Sequence, residues 1–198
     1  MTDQTPRPSN WNLPNAITIV RILFAPAFFW MLLADAGHDG PLRWWAAVLF
    51  IVGIATDGID GHIARSRGLV TELGKLLDPI ADKVLTGVAL IGLSVLGELW
   101  WWVTIVILVR EVGITVYRFA VIRGGVIPAS RGGKLKTVAQ AVAISLALVP
   151  LWVPLGGWVH WVNWAFMAIA LILTVVSGLD YVWSAIRLHR QKKEGTDA

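Results

Sequence analysis

Residues 56–83, TDGIDGHIARSRGLVTELGKLLDPIADK, set four aspartates, Asp57, Asp60, Asp78 and Asp82, into a chain that is otherwise mostly apolar. They come as two pairs, one at i,i+3 and one at i,i+4, so each pair falls on one face of a helix. Gly53, Asp57, Asp60, Gly61 and Ala64 share a face, with Arg65 at its edge, and Gly74, Asp78 and Asp82 form a stripe on the next helix. About seven residues join the two helices, which makes them antiparallel neighbours whose carboxylates meet at one end. Carboxylates so close to apolar spans are expensive, and they mark function.

Outward from this stretch the chain is oil. Hydrophobic residues make up 56% of 198 and charged residues 15%, with a mean hydropathy of +0.66. That is too apolar and too sparsely charged for a soluble domain. The fold class expected is therefore an all-α integral membrane protein of one domain. A lone span must satisfy its own backbone, which requires helix, and the segments are too long for barrel strands. With no cysteine there is no disulfide framework and no thiolate site. The net charge of +4 sits beside apolar spans and forms no soluble basic patch, so no nucleic-acid partner is expected.

Six spans are placed, at roughly 14–35, 42–64, 72–97, 99–123, 134–155 and 159–187. A polar tail at 1–13, lying along the membrane surface, precedes the six-helix domain of 14–188, and a basic and polar tail follows at 189–198. The uncharged cores of the first four spans are short: 13 residues from Arg21 to Asp35, 13 from Arg43 to Asp57, 14 from Lys83 to Glu98, and 11 from Glu98 to Arg110. Each of these helices takes charge into the bilayer at one end. With six spans both termini share a side. That side carries Arg7, Arg65, Arg67, Lys75, Arg123, Arg131, Lys134, Lys136, Arg187, Arg190, Lys192 and Lys193, whereas the opposite loops hold only Arg43. The basic side is then cytoplasmic, and the tryptophans at the other ends form an outer aromatic belt. The in-span charges fall in the cytoplasmic half, which predicts a polar cavity open to the cytoplasm.

Four carboxylates together repel one another and take up protons unless cations neutralise them. All-oxygen donors select hard ions, Mg²⁺ or Mn²⁺. Four negative charges match two divalent ions, an arrangement suited to phosphoryl transfer. The neighbouring small residues let a flat or phosphorylated ligand approach closely. The competing structural explanation is that these aspartates pair with Arg65, Lys75, Lys83 or Arg110 in helix-end salt bridges.

The pattern Asp57-x2-Asp60-Gly61-x2-Ala64-Arg65-x8-Gly74-x3-Asp78-x3-Asp82 resembles the signature of the CDP-alcohol phosphatidyltransferases at all eight fixed positions. That family joins a cytidine-diphosphate-activated group to an alcohol and releases CMP. The resemblance implies that Asp57, Asp60 and Asp78 bind two metal ions, and that Asp82 binds one and acts as general base. It further implies that Gly61, Ala64, Arg65, Thr71 and Gly74 hold the cytidine nucleotide, and that the protein is a homodimer.

A second, basic constellation comprises Arg110, Arg118, Lys134 and Lys136. Arg110 and Arg118 fall near one face, and GGKLK opens the fifth helix, where free N–H groups favour an anion. These cations suit a phosphate on the acceptor alcohol, although cytoplasmic loops are basic in any case. REVGIT at 110–115, GGKLKTVAQ at 132–140 and the Asn15, Thr18, Arg21 triplet resemble the branch of the family that uses glycerol 3-phosphate with CDP-diacylglycerol and makes phosphatidylglycerophosphate. Asn15, Thr18 and Arg21 either line the cavity or, for the first two, cap and cross-link helices. Tyr117, His62 and His160 read as packing residues. Phosphatidylglycerol and inositol phosphate are the alternative acceptors within the family. A cation carrier is the alternative from another class, disfavoured by the oily outer half.

Overall fold

The computed structural model describes residues 12–66, 71–121 and 131–194. Among them are seven helices and no strand: α1 Leu13–Asp35, α2 Pro41–Ser66, α3 Glu72–Val95, α4 Trp101–Val121, α5 Arg131–Leu148, the single turn α6 Trp152–Leu155, and α7 Val159–Glu194. The six long helices coincide with the six predicted segments. Two ends differ by several residues: the last helix runs on to Glu194 instead of ending at 187, into the stretch expected to be a tail, and the fifth stops at Leu148 instead of reaching 155. Pro150 explains the early stop, since it has no N–H to donate and disfavours helix in the residue before it.

Local chemistry sets the helix ends. Asn12 caps α1 by accepting the backbone N–H of Asn15 at 3.0 Å, and Pro14 occupies the first turn, where its missing N–H costs nothing. The left-handed Ala36 (φ 52°) closes α1, its N–H donating to Leu33. The buried Asp35 carboxylate then accepts the N–H groups of Asp39 at 2.9 Å and Gly40 at 3.0 Å, which shapes the turn into α2. Thr71 caps α3 by accepting the Gly74 N–H at 3.0 Å. Gly97, at φ +75°, turns α3 into α4.

Helix α1 lies against α2 and α3, α4 bridges α3 and α7, and α5 packs on α7 and on the α2–α3 pair. Phe28, Phe50, Leu85, Leu93, Ile107 and Ile144 form the buried centre. Alanines 25, 46, 47, 89, 143 and 170 let the helices close around it. The exterior is apolar as well: Leu23, Trp30, Val109, Trp161, Ile172 and Leu179 are all exposed. Arg21 and Arg43, by contrast, are among the most deeply buried side chains. Apolar surface outside with charge inside inverts the arrangement of a water-soluble domain.

Two segments, Asn15–Asp35 (mean hydropathy 2.1) and Val159–Arg187 (2.0), are long and apolar enough to cross a membrane, and Pro41–Thr56 and Leu135–Leu148 are shorter apolar stretches. The packing residues expected from sequence pack: Tyr117 meets Tyr181 edge-on at 5.9 Å, and His160 lies 4.8 Å from the Trp152 ring. His62 lies outside the described side chains.

Candidate active site

The aspartate-bearing ends of α2 and α3 meet the N-terminal half of α1. Helix α2 runs on through Asp57, Asp60, Gly61, Ala64 and Arg65 to Ser66, but the side chains of those five residues lie outside the described residues. On α3, Asp78 and Asp82 stand one turn apart, both partly buried. Thr18 of α1 donates its hydroxyl to Asp78 Oδ1 at 2.8 Å. Asn15 Nδ2 donates to Thr71 Oγ1 at 2.8 Å, in the same cap that receives the Gly74 N–H. Asn15 and Thr18 thus bond across helices, and Thr18 at the same time touches a candidate ligand.

The small residues have specific neighbours. A Cβ built on Gly74 would stand 2.6 Å from Asn15 Oδ1, so the bare glycine is what admits the Asn15–Thr71 contact. A Cβ on Gly53 would stand 2.7 Å from Leu85 Cδ2 and 3.8 Å from Arg21 Cγ. The expectation that Gly53 leaves room for a ligand is therefore corrected: Leu85 fills the space, because α2 and α3 pack there. Arg21 is buried behind it, 2% exposed.

The basic constellation is organised by a residue that pattern reading passed over. Glu111, 4% exposed, sits mid-helix in α4 and receives three cations. Lys83 of α3 pairs with its Oε2, and Lys136 of α5 pairs with its Oε1. Arg110 Nη1 reaches Oε1 at 2.9 Å, while its Nη2 donates to Ser177 of α7 at 2.8 Å. Lys83 also lies 3.1 Å from Asp82 Oδ2. One unbroken run of charge therefore joins Asp82 to Lys83, Glu111, Lys136 and Arg110. The acid within REVGIT was the available signal. A pattern of phosphate-binding cations does not include it. The side chains of Arg118 and Lys134 lie outside the described residues.

Two further features frame the site. Between α4 and α7 runs a groove of about 800 Å³ whose walls include Val109, Ile114, Val175 and Val182, with Arg110 among its lining residues. At the opposite end of the bundle, Arg43 is completely buried. It holds Glu98 with both terminal nitrogens, donates to the Leu148 carbonyl at 3.0 Å and the Ala147 carbonyl at 2.9 Å, and lies 5.1 Å from the Trp152 ring centre. Trp152 Nε1 in turn donates to Asp39 at 2.7 Å.

The donor set fits a hard divalent cation. Asp78 and Asp82 offer oxygens one turn apart on a rigid helix, with Thr18 orienting the first as an outer partner would. Among the described residues no group of three or more ligands is complete, since Asp57 and Asp60 lie outside them.

Comparison with known proteins follows the same lines. The chain is 52% identical over 176 residues to a probable phosphatidylglycerophosphate synthase of Mycobacterium tuberculosis, covering 89% of this chain and 82% of that protein. It is 37% identical over 196 residues to the CDP-diacylglycerol–glycerol-3-phosphate 3-phosphatidyltransferase of Bacillus subtilis, covering 89% and 98%. The Escherichia coli protein of the same name is 33% identical over 186 residues, covering 88% and 95%. The CDP-alcohol phosphatidyltransferase family model matches residues 11–176, and with a helical, apolar-surfaced bundle that carries the aspartate pattern on α2 and α3, the chain belongs to the CDP-alcohol phosphatidyltransferase family.

Proposed function

We propose that this protein transfers the phosphatidyl group of CDP-diacylglycerol to glycerol 3-phosphate, giving phosphatidylglycerophosphate and CMP. The observation that carries this reading is the run of charge from Asp82 through Lys83 and Glu111 to Lys136 and Arg110, which sets the base candidate beside cations suited to an acceptor phosphate. The names of the relatives in Mycobacterium tuberculosis and Bacillus subtilis point to the same acceptor.

In this reading Asp57, Asp60, Asp78 and Asp82 hold two divalent cations, Mg²⁺ or Mn²⁺, which when bound draw charge from the pyrophosphate. Asp82 accepts the proton of the primary hydroxyl of glycerol 3-phosphate. That oxygen bonds to the lipid-bearing phosphorus, and the phosphorus–oxygen bond to CMP breaks. Gly61, Ala64, Arg65, Thr71 and Gly74 seat the cytidine nucleotide. Arg110, Arg118, Lys134 and Lys136 grip the acceptor phosphate. Thr18 steadies Asp78, while Asn15 and Arg21 brace the wall of the site. The apolar groove between α4 and α7 suits acyl chains that stay in the bilayer while the head group enters sideways.

The six long helices cross the membrane, with both termini and the aspartate end on the cytoplasmic side and 14–188 forming the catalytic domain, as a homodimer. The apolar exterior and the spans at Asn15–Asp35 and Val159–Arg187 support this. The experiment is CMP release from CDP-diacylglycerol by the purified protein with a panel of alcohols. Metal-dependent release with glycerol 3-phosphate is expected. Release only with phosphatidylglycerol or inositol phosphate would reassign the acceptor.

A further inference from the structure

A buried carboxylate needs one cation, and Glu111 has three. Lys83, Lys136 and Arg110 come from three helices and converge on its two oxygens, with the Glu111 and Lys136 side chains each at most 5% exposed. Without the anion, three cations in so small a volume repel and swing apart. With Glu111 and with Asp82, which Lys83 also meets at 3.1 Å, the cluster keeps one net positive charge, opposite in sign to a phosphate monoester. Donors also remain in hand. An ammonium has three protons, and among the described residues Lys136 Nζ meets only Glu111. Arg110 is steered as well, lying flat along α7, where a Cβ on Gly178 would come 3.1 Å from its Cγ, and bonding Ser177 at 2.8 Å. Glu111 is itself fixed in the middle of α4, where Thr115 donates its hydroxyl to the Glu111 carbonyl at 2.7 Å.

We infer that Glu111 is the positioning residue of the acceptor site: it holds Lys136 and Arg110 as a pre-shaped, positive cradle for the phosphate monoester of the acceptor, and through Lys83 it ties that cradle to Asp82. The inference rests on the reading of the preceding subsection and deepens it. Glu111 itself touches no substrate. It also supplies specificity, because an alcohol without the phosphate leaves the surplus positive charge uncompensated.

The test is steady-state CMP release by the detergent-purified full chain, varying each substrate with the other saturating. Glu111→Gln is expected to raise the KM for glycerol 3-phosphate about tenfold or more and that for CDP-diacylglycerol by about twofold or less, with Glu111→Asp recovering part of the loss. Because Glu111 acts through Lys136 and Arg110, adding Glu111→Gln to Lys136→Met/Arg110→Met should cost about threefold or less beyond that pair of changes alone. That comparison stands even if the single Glu111→Gln variant fails to fold, since the triple variant leaves only Lys83 facing position 111, and Lys83 keeps Asp82 as its partner. An unchanged or lowered acceptor KM, an equal rise for both substrates, or a full tenfold cost in the Lys136→Met/Arg110→Met background would overturn the inference. Wild-type protein that releases no CMP with glycerol 3-phosphate would overturn the reading beneath it as well, whereas active wild type with an indifferent Glu111→Gln sinks only the inference.

Discussion

At the scale of single residues, the proposed chemistry divides between Asp82 and Arg110. Asp82 differs from Asp78 in its surroundings: Asp78 accepts the Thr18 hydroxyl, while Asp82 faces Lys83. A base that removes a proton in the transition state contributes about 10²–10⁴ in rate. Asp82→Asn should therefore lower kcat at least about a hundredfold while titration with CDP-diacylglycerol still shows donor binding. Complete loss of donor binding would instead make Asp82 an indispensable metal ligand. Arg110→Ala removes contacts to Glu111 and Ser177 together, and its KM effect should fall on glycerol 3-phosphate more than on the lipid donor. An equal effect on both would take Arg110 out of the acceptor pocket.

At the scale of elements, α2 and α3 have to sit close for their aspartates to meet, and Gly53 is where they do. The Cβ of an alanine there would press to 2.7 Å on Leu85 Cδ2, the end of a buried leucine with little room to turn. Overpacking of this kind costs about 1–3 kcal/mol. Gly53→Ala should lower the melting temperature of the detergent-solubilised protein. In Gly53→Ala/Leu85→Ala the two losses should not add, because the second change removes the atom that the first one strikes. Strict additivity would mean that the helices do not press together at this point.

At the scale of the whole molecule, the bundle carries Asp78 and Asp82 towards one end and a buried Arg43 knot at the other. The Arg43 knot joins α2, the α3–α4 turn, the end of α5 and α6, far along the helices from Asp82. Breaking a fully buried pair by deleting one partner costs about 3–5 kcal/mol; here Glu98 is 28% exposed, so its share of the cost is smaller, and the Leu148 and Ala147 carbonyls lose their donor as well. Arg43→Ala should therefore melt well below wild type yet keep the wild-type KM for both substrates at low temperature. A selective change in acceptor KM would show that the two ends communicate. The absence of cysteine makes orientation directly measurable, because a single introduced thiol is the only one present. With an impermeant thiol reagent on intact cells, His38→Cys should label and Lys193→Cys should not. The reverse pattern would invert the proposed topology.

The sequence by itself determined the helical, membrane-type class, the positions of the six long helices and the aspartate pattern, because these depend on local rules: apolar run length, caps such as Asn12 and Thr71, and spacing along one helix. Even the misplaced end of α5 is a local matter, written in Pro150. Only the tertiary structure decided which residues meet across helices. Glu111 reads as one more charge beside Arg110 until α3 and α5 bring Lys83 and Lys136 to it. Arg43 reads as a lone outer-loop cation until Glu98, 55 positions away, closes on it. Gly53 reads as space for a ligand until Leu85 fills it. Periodicity states which face a side chain occupies. What stands opposite that face is set by how the helices pack, and that is where a buried charge finds its partner and a glycine its neighbour.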